Sequence, residues 1–185
     1  MNEIPYRYSE DSRLLGNYLS KMDGSGFFLE IGVGEGGNLS KPDLSQKFDV
    51  IVGTDLIDLR SIRKNMPGTL ELIITDRAEC FRKGIFDVIV FNPPYLPSEG
   101  IMDRTIDGGK GGIQVPLQFL ESALSVLKRE GRIVMLLSSD DSIDEVRNYC
   151  EKRDFVFKEV AETALFFERL YLFLIQRENK KTVKN

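Results

Sequence analysis

Apolar runs of five or six residues alternate with longer amphipathic stretches along most of this chain. Phe27–Ile31, Val50–Thr54, Leu70–Thr75, Phe86–Phe91 and Arg132–Leu137 are short, rich in aliphatic residues and Phe, and bounded by Gly, Asp or Asn. Continuous apolar runs of this length predict strands buried on both faces, as in a parallel sheet. Between them, Asp11–Lys21, Ile57–Lys64, Val115–Arg129 and Ser142–Lys152 predict helices. In the third of these, Pro116 falls in the first turn, where a missing N–H costs nothing. Leu117, Phe119, Leu120, Leu124, Val126 and Leu127 form its apolar face, and Gly131 is placed to stop it. Strand–helix alternation predicts a doubly wound α/β sheet with right-handed crossovers. The last two apolar runs, Phe155–Val160 and Leu170–Gln176, have no helix between them and predict an antiparallel hairpin on one edge. Gly37 to Asp43 is short and holds Pro42, so the first crossover is expected to be abbreviated.

Composition narrows the chemistry. The 185 residues suit one domain, expected over 1–178, with an N-terminal helix or lid in 1–22 and a basic tail without fixed structure at 179–185. With 25 basic and 29 acidic residues the net charge is −4, which fits poorly with direct binding of nucleic acid. Histidine is absent, so a Ser-His-Asp triad, a histidine base and a His-containing zinc site are all excluded. Cys80 and Cys150 form no CxxC, and no metal site is expected. Neither a membrane-length apolar run of about 18 residues nor a signal pattern is present, so the expected location is the cytoplasm.

The glycines of Gly32-Val33-Gly34-Glu35-Gly36 follow the first predicted strand, where the lack of a Cβ lets backbone approach a ligand. Such a loop alone also suits a plain tight turn. Two acids at later strand ends add weight to the ligand reading. Asp55 closes the second strand about 20 residues on, where a carboxylate can accept from ribose hydroxyls, and Asp76 closes the third, where it can accept from an adenine amine. Glu30 ends the first strand. Its charge suits an ammonium group and would repel a pyrophosphate, which favours S-adenosylmethionine over NAD.

Asn92-Pro93-Pro94-Tyr95 directly follows the fourth strand. A glutamine amide or an adenine amine is a weak nucleophile, because its lone pair is delocalised. Two fixed acceptors can take both N–H hydrogens and aim the lone pair at a methyl carbon. The Asn92 side-chain oxygen and the Pro93 carbonyl, held still by two prolines, are the candidates. Tyr95 can lie against the flat target group. Asn92, Pro93 and Tyr95 are thus the expected catalytic residues, and Asn92, Pro93, Pro94 and Tyr95 the expected substrate contacts.

These motifs together resemble the HemK/PrmC family of glutamine methyltransferases, in particular its short archaeal and eukaryotic branch acting on the Gly-Gly-Gln motif of class-1 translation release factors. Tyr6-Arg7-Tyr8-Ser9-Glu10-Asp11-Ser12 resembles that branch's opening motif, with Tyr8 in place of its proline, and Ile106 to Gly112 resembles its glycine-rich segment. The resemblance implies the class I methyltransferase fold, a mostly parallel seven-stranded sheet ending in an antiparallel hairpin. It also implies S-adenosylmethionine as cofactor and S-adenosylhomocysteine as product. Ser12, Glu30, Gly32, Gly34, Asp55, Asp76 and Asn92 are implied around the cofactor, together with Arg77, where relatives usually carry an apolar residue. A release factor as substrate and a small zinc-binding activator subunit are the implied partners. On its residues alone Ser12 equally suits a helix start. Two other readings stay open: a methyltransferase for adenine or guanine amines in RNA or DNA, and a dehydrogenase-type nucleotide binder.

Overall fold

Residues 27–31 show why the sheet is buried on both sides. Leu29 and Ile31 enter one apolar layer and Phe28 the other, as the two-residue period of a strand requires. The computed structural model describes residues 10–40, 42–64, 70–94, 96–97, 107–109, 112–139 and 143–178. In chain order the elements are α1 (Glu10–Lys21), β1 (Phe27–Ile31), α2 (Pro42–Lys47), β2 (Val50–Asp55), α3 (Arg60–Arg63), β3 (Leu70–Ile74) and β4 (Phe86–Phe91). They continue with β5 (Leu96–Pro97), β6 (Asp107–Gly109), α4 (Gln114–Val126), β7 (Leu127–Ser138), α5 (Ile143–Glu151), β8 (Phe155–Ala164) and β9 (Arg169–Arg177).

Seven strands form one sheet in the order β3-β2-β1-β4-β7-β9-β8, and β5 pairs separately with β6. The first five strands in that order are parallel neighbours, while β7–β9 and β9–β8 are antiparallel. This is the expected doubly wound sheet with its terminal hairpin. One face is covered by α4 and α5 through Leu120, Ala123, Val126, Val146 and Cys150. The other is covered by α1, α2 and α3 through Leu15, Leu19, Leu44 and Ile62. No helix among the described residues is long and apolar enough to cross a membrane.

Several boundaries differ from expectation: β8 runs past the expected Val160 to Ala164, and two helices are shortened for local reasons. The helix expected over Val115–Arg129 ends at Val126, and Leu127 is already extended with ψ 133. Leu127 pairs with Phe86, and the Val126 carbonyl accepts from Ile85 N at 2.8 Å, so strand pairing overrides the helix preference of Leu-Lys-Arg-Glu. Gly131 is therefore not a helix stop. It lies inside β7 at a register shift, where a Cβ would sit 2.8 Å from Leu127 Cδ1. The helix expected over Ile57–Lys64 is only Arg60–Arg63. Asp55 Oδ1 accepts from Leu56 N and Ile57 N, and Asp58 Oδ1 from Arg60 N, an arrangement that competes with a helical start. The abbreviated first crossover is observed: α2 is six residues long with Pro42 at its first position. Residues 1–9, 179–185 and Tyr95 lie outside the described residues, as does part of the Ile106–Gly112 segment.

At the amino end of the sheet, Asp87 Oδ2 accepts from Phe27 N at 2.8 Å and pairs with Lys128 Nζ at 2.7 Å, joining β1, β4 and β7. Cys150 is fully buried in the α5 layer, and desolvation pushes its thiol up to about 12. Cys80 is exposed. A thiol-reactive disulfide reagent at pH 8 is expected to titrate one thiol in the native protein and two after denaturation, since the thiolate is the nucleophile. Two thiols reacting in the native state would contradict this packing.

Candidate active site

β1 pairs with β2 on one side and β4 on the other, so the winding of the sheet reverses between β1 and β4. Ligands of open α/β sheets bind outside the carboxyl ends of the strands at such a switch point. The register sets Ile31 opposite Phe91, so the next residues, Gly32 and Asn92, leave the sheet as neighbours. The glycine loop and the Asn-Pro-Pro motif therefore share one edge, although 60 residues separate Ile31 from Phe91 (91 minus 31).

The glycine turn takes its shape from the backbone. Gly32 and Gly34 have φ of +76 and +52, values that side chains disfavour, and Gly32 N and Val33 N both donate to Thr54 O. Among the described residues a Cβ at Gly32 would meet only Phe119 Cε1 on α4, at 3.7 Å. Asp55, at the end of β2, accepts from Gly34 N at 2.9 Å through Oδ2, while its Oδ1 takes Leu56 N at 2.7 Å. The acid thus pins the loop as well as facing the edge. Glu30 is 4% exposed, and its Oε1 accepts from Asn38 Nδ2 at 3.0 Å.

Asp76 follows β3 by two residues and pairs with Arg77 Nη2 at 3.1 Å. Arg77 has φ +49, in the left-handed region, and its guanidinium also meets Glu79 Oε1 at 3.2 Å and Gln118 Oε1 on α4 at 3.4 Å. Its contacts among the described residues thus hold the Asp76 turn against α4. Ser12 lies in the first turn of α1, and its backbone N donates to Asp11 Oδ1 at 2.7 Å.

Asn92 stands at the centre of the edge. Its Nδ2 donates to Asp11 Oδ2 on α1 at 2.7 Å, and its buried Oδ1 accepts no hydrogen bond among the described residues. Buried acceptors are nearly always satisfied, and the exceptions concentrate at functional positions. Pro93 is buried and Pro94 half-buried beside it. Asp11 and Asn38 were not singled out from the sequence. The signals were present, in Glu10-Asp11-Ser12 of the opening motif and in the position of Asn38 just past the glycine loop, but neither names its partner.

No family model matches the chain. A Methanocaldococcus jannaschii protein, provisionally named a protein N5-glutamine methyltransferase, is 30% identical over 175 residues, covering 89% of this chain and 88% of that one. Among solved structures, the E. cuniculi Mtq2–Trm112 complex, responsible for methylating the translation termination factor eRF1, superposes with a TM-score of 0.75. It is 23% identical, covering 94% of this chain and 98% of that one. A methyltransferase-like protein from Streptococcus mutans, solved with S-adenosylhomocysteine, gives 0.62 at 17% identity, covering 92% and 99%. The two structural likenesses carry the class I methyltransferase fold, and the sequence relative carries the family. This chain belongs to the HemK/PrmC family of protein N5-glutamine methyltransferases.

Proposed function

We propose that this protein transfers a methyl group from S-adenosylmethionine to the side-chain amide nitrogen of the glutamine in a release factor's Gly-Gly-Gln motif. The observation that carries the reading is Asn92: a buried acceptor oxygen without a partner among the described residues, beside the glycine turn at the switch point. The residues present fit the cofactor. Glu30 offers a buried carboxylate to an ammonium group, Asp55 an acceptor to ribose hydroxyls, and Asp76 with Arg77 borders the adenine end. Gly32 and Gly34 allow close approach, and Ser12 flanks the site from α1. Bound S-adenosylmethionine supplies an electrophilic methyl carbon and leaves as S-adenosylhomocysteine.

Asn92 Oδ1 and the Pro93 carbonyl take the two N–H hydrogens of the substrate amide. That grip turns the nitrogen lone pair out of conjugation toward the methyl carbon and stabilises the positive charge that builds on nitrogen. The N–H proton then passes to water, since the alkylated amide nitrogen is strongly acidic. No histidine is needed, and the chain has none. Pro94 keeps the turn rigid.

A cytoplasmic release factor is preferred to RNA as substrate because the net charge is −4. A small zinc-binding activator fits the outer strand β3, where Ile74 is 60% exposed and Leu56, just beyond β2, is 52% exposed. The test is incubation of the protein, with and without such a subunit, with radiolabelled cofactor, a cognate release factor and total RNA. Label is expected in the release factor and absent from a variant lacking the Gly-Gly-Gln glutamine. Label in RNA instead would overturn the reading.

A further inference from the structure

An asparagine used as an acceptor carries a built-in ambiguity. Its oxygen and its NH2 group are almost the same size, and a half-turn exchanges them. In one orientation Asn92 offers an acceptor to the substrate's NH2. In the other it sets donor against donor, and the substrate nitrogen is pushed away.

We infer that Asp11 resolves this ambiguity by locking the Asn92 amide with its oxygen toward the substrate. The inference rests on the reading of Asn92 as the acceptor for the substrate amide. An ionised carboxylate only accepts, so at 2.7 Å it is satisfied by Asn92 Nδ2 and repels Oδ1. Oδ1 is thereby turned away from Asp11, and it meets no donor among the described residues. The anchor is itself held. Asp11 is 3% exposed, its Oδ1 accepts from Ser12 N at 2.7 Å, and Leu15 and Leu19 of the same helix are packed against the sheet at 1% exposure. The helix at the start of the described chain thus sets the geometry of a side chain 81 positions later. Asp11 is a positioning residue: it touches neither the transferred methyl group nor the substrate, and acts through Asn92.

The experiment compares wild type, Asp11→Ala, Asp11→Asn and Asn92→Ala, each as the full chain with an activator subunit if wild type needs one. It reads kcat, KM for the release factor, cofactor Kd by calorimetry, and the side-chain NH2 resonances in protein carrying 15N-labelled asparagine. The Asn92 signal is identified by its absence from Asn92→Ala. Asp11→Ala is expected to lower kcat about 10- to 100-fold, with KM and cofactor Kd within about threefold, and to speed solvent exchange of the Asn92 NH2. Asp11→Asn keeps an acceptor but loses the charge and can itself turn over, so an intermediate loss of under about tenfold is expected. It is close to isosteric, and decides the matter if the alanine variant does not fold. Three results would each overturn the inference: unchanged kcat, unchanged protection of the Asn92 NH2, or a loss wholly in cofactor Kd. If wild type fails to label the release factor, the proposed function falls instead, while the NH2 exchange still decides whether Asp11 holds the amide.

Discussion

Replacement of Asn92 by alanine is expected to lower kcat for methyl transfer by at least about a hundredfold while cofactor Kd changes by less than about tenfold. The two quantities separate because of what the side chain does. Its oxygen grips the reacting nitrogen, and this interaction strengthens as positive charge develops there. Loss of one preorganised polar group aimed at developing charge typically costs roughly 10²- to 10³-fold in kcat. The cofactor, in contrast, has Glu30, Asp55 and the backbone of the glycine turn as its expected partners, and none of these depends on the Asn92 amide. Single-turnover assays and calorimetry on the purified variant check the result. Near-normal turnover would remove Asn92 from the chemistry.

Asp55→Ala is expected to show the converse pattern. Cofactor Kd should rise about 10- to 100-fold, the value of a charged hydrogen-bond pair. The structure adds a second component to this loss. Asp55 accepts from three backbone N–H groups, of Gly34, Leu56 and Ile57, and so shapes the turn whose backbone the cofactor approaches. The variant should therefore also melt at a lower temperature, and saturating cofactor should restore only part of kcat. Asp55→Asn should do little better, since its NH2 would face one of those N–H donors. An unchanged dissociation constant would contradict the ribose assignment.

The parallel strands were legible in the sequence because strands buried on both faces read as unbroken apolar runs, whereas β7 and β8 run well beyond the expected bounds. Phe27–Ile31 and Phe86–Phe91 were placed to the residue. The candidate site followed from them, since Glu30, Asp55 and Asn92 lie at or next to strand ends. What stayed hidden depends on partners distant in the chain. Leu127–Arg129 has good local helix preference and becomes strand only because Phe86 is there to pair with it. The Arg77 guanidinium reads as a departure from the family's pattern until Gln118 arrives from α4. The tie between Asp11 and Asn92 joins two segments with no pattern in common.

The two rims of the sheet carry different burdens. At the rim where strands begin, Asp87 binds Phe27 N and Lys128, and Gly26, with φ +76, sits so close that a Cβ would come within 2.2 Å of the Asp87 carboxylate. That clasp lies at the opposite end of the strands from the proposed site at Gly32 and Asn92. Substitutions at Asp87 or Lys128 are expected to change how firmly three strands hold together, with kcat left close to wild type. A hardier version of this enzyme can thus be sought at one rim without disturbing the other.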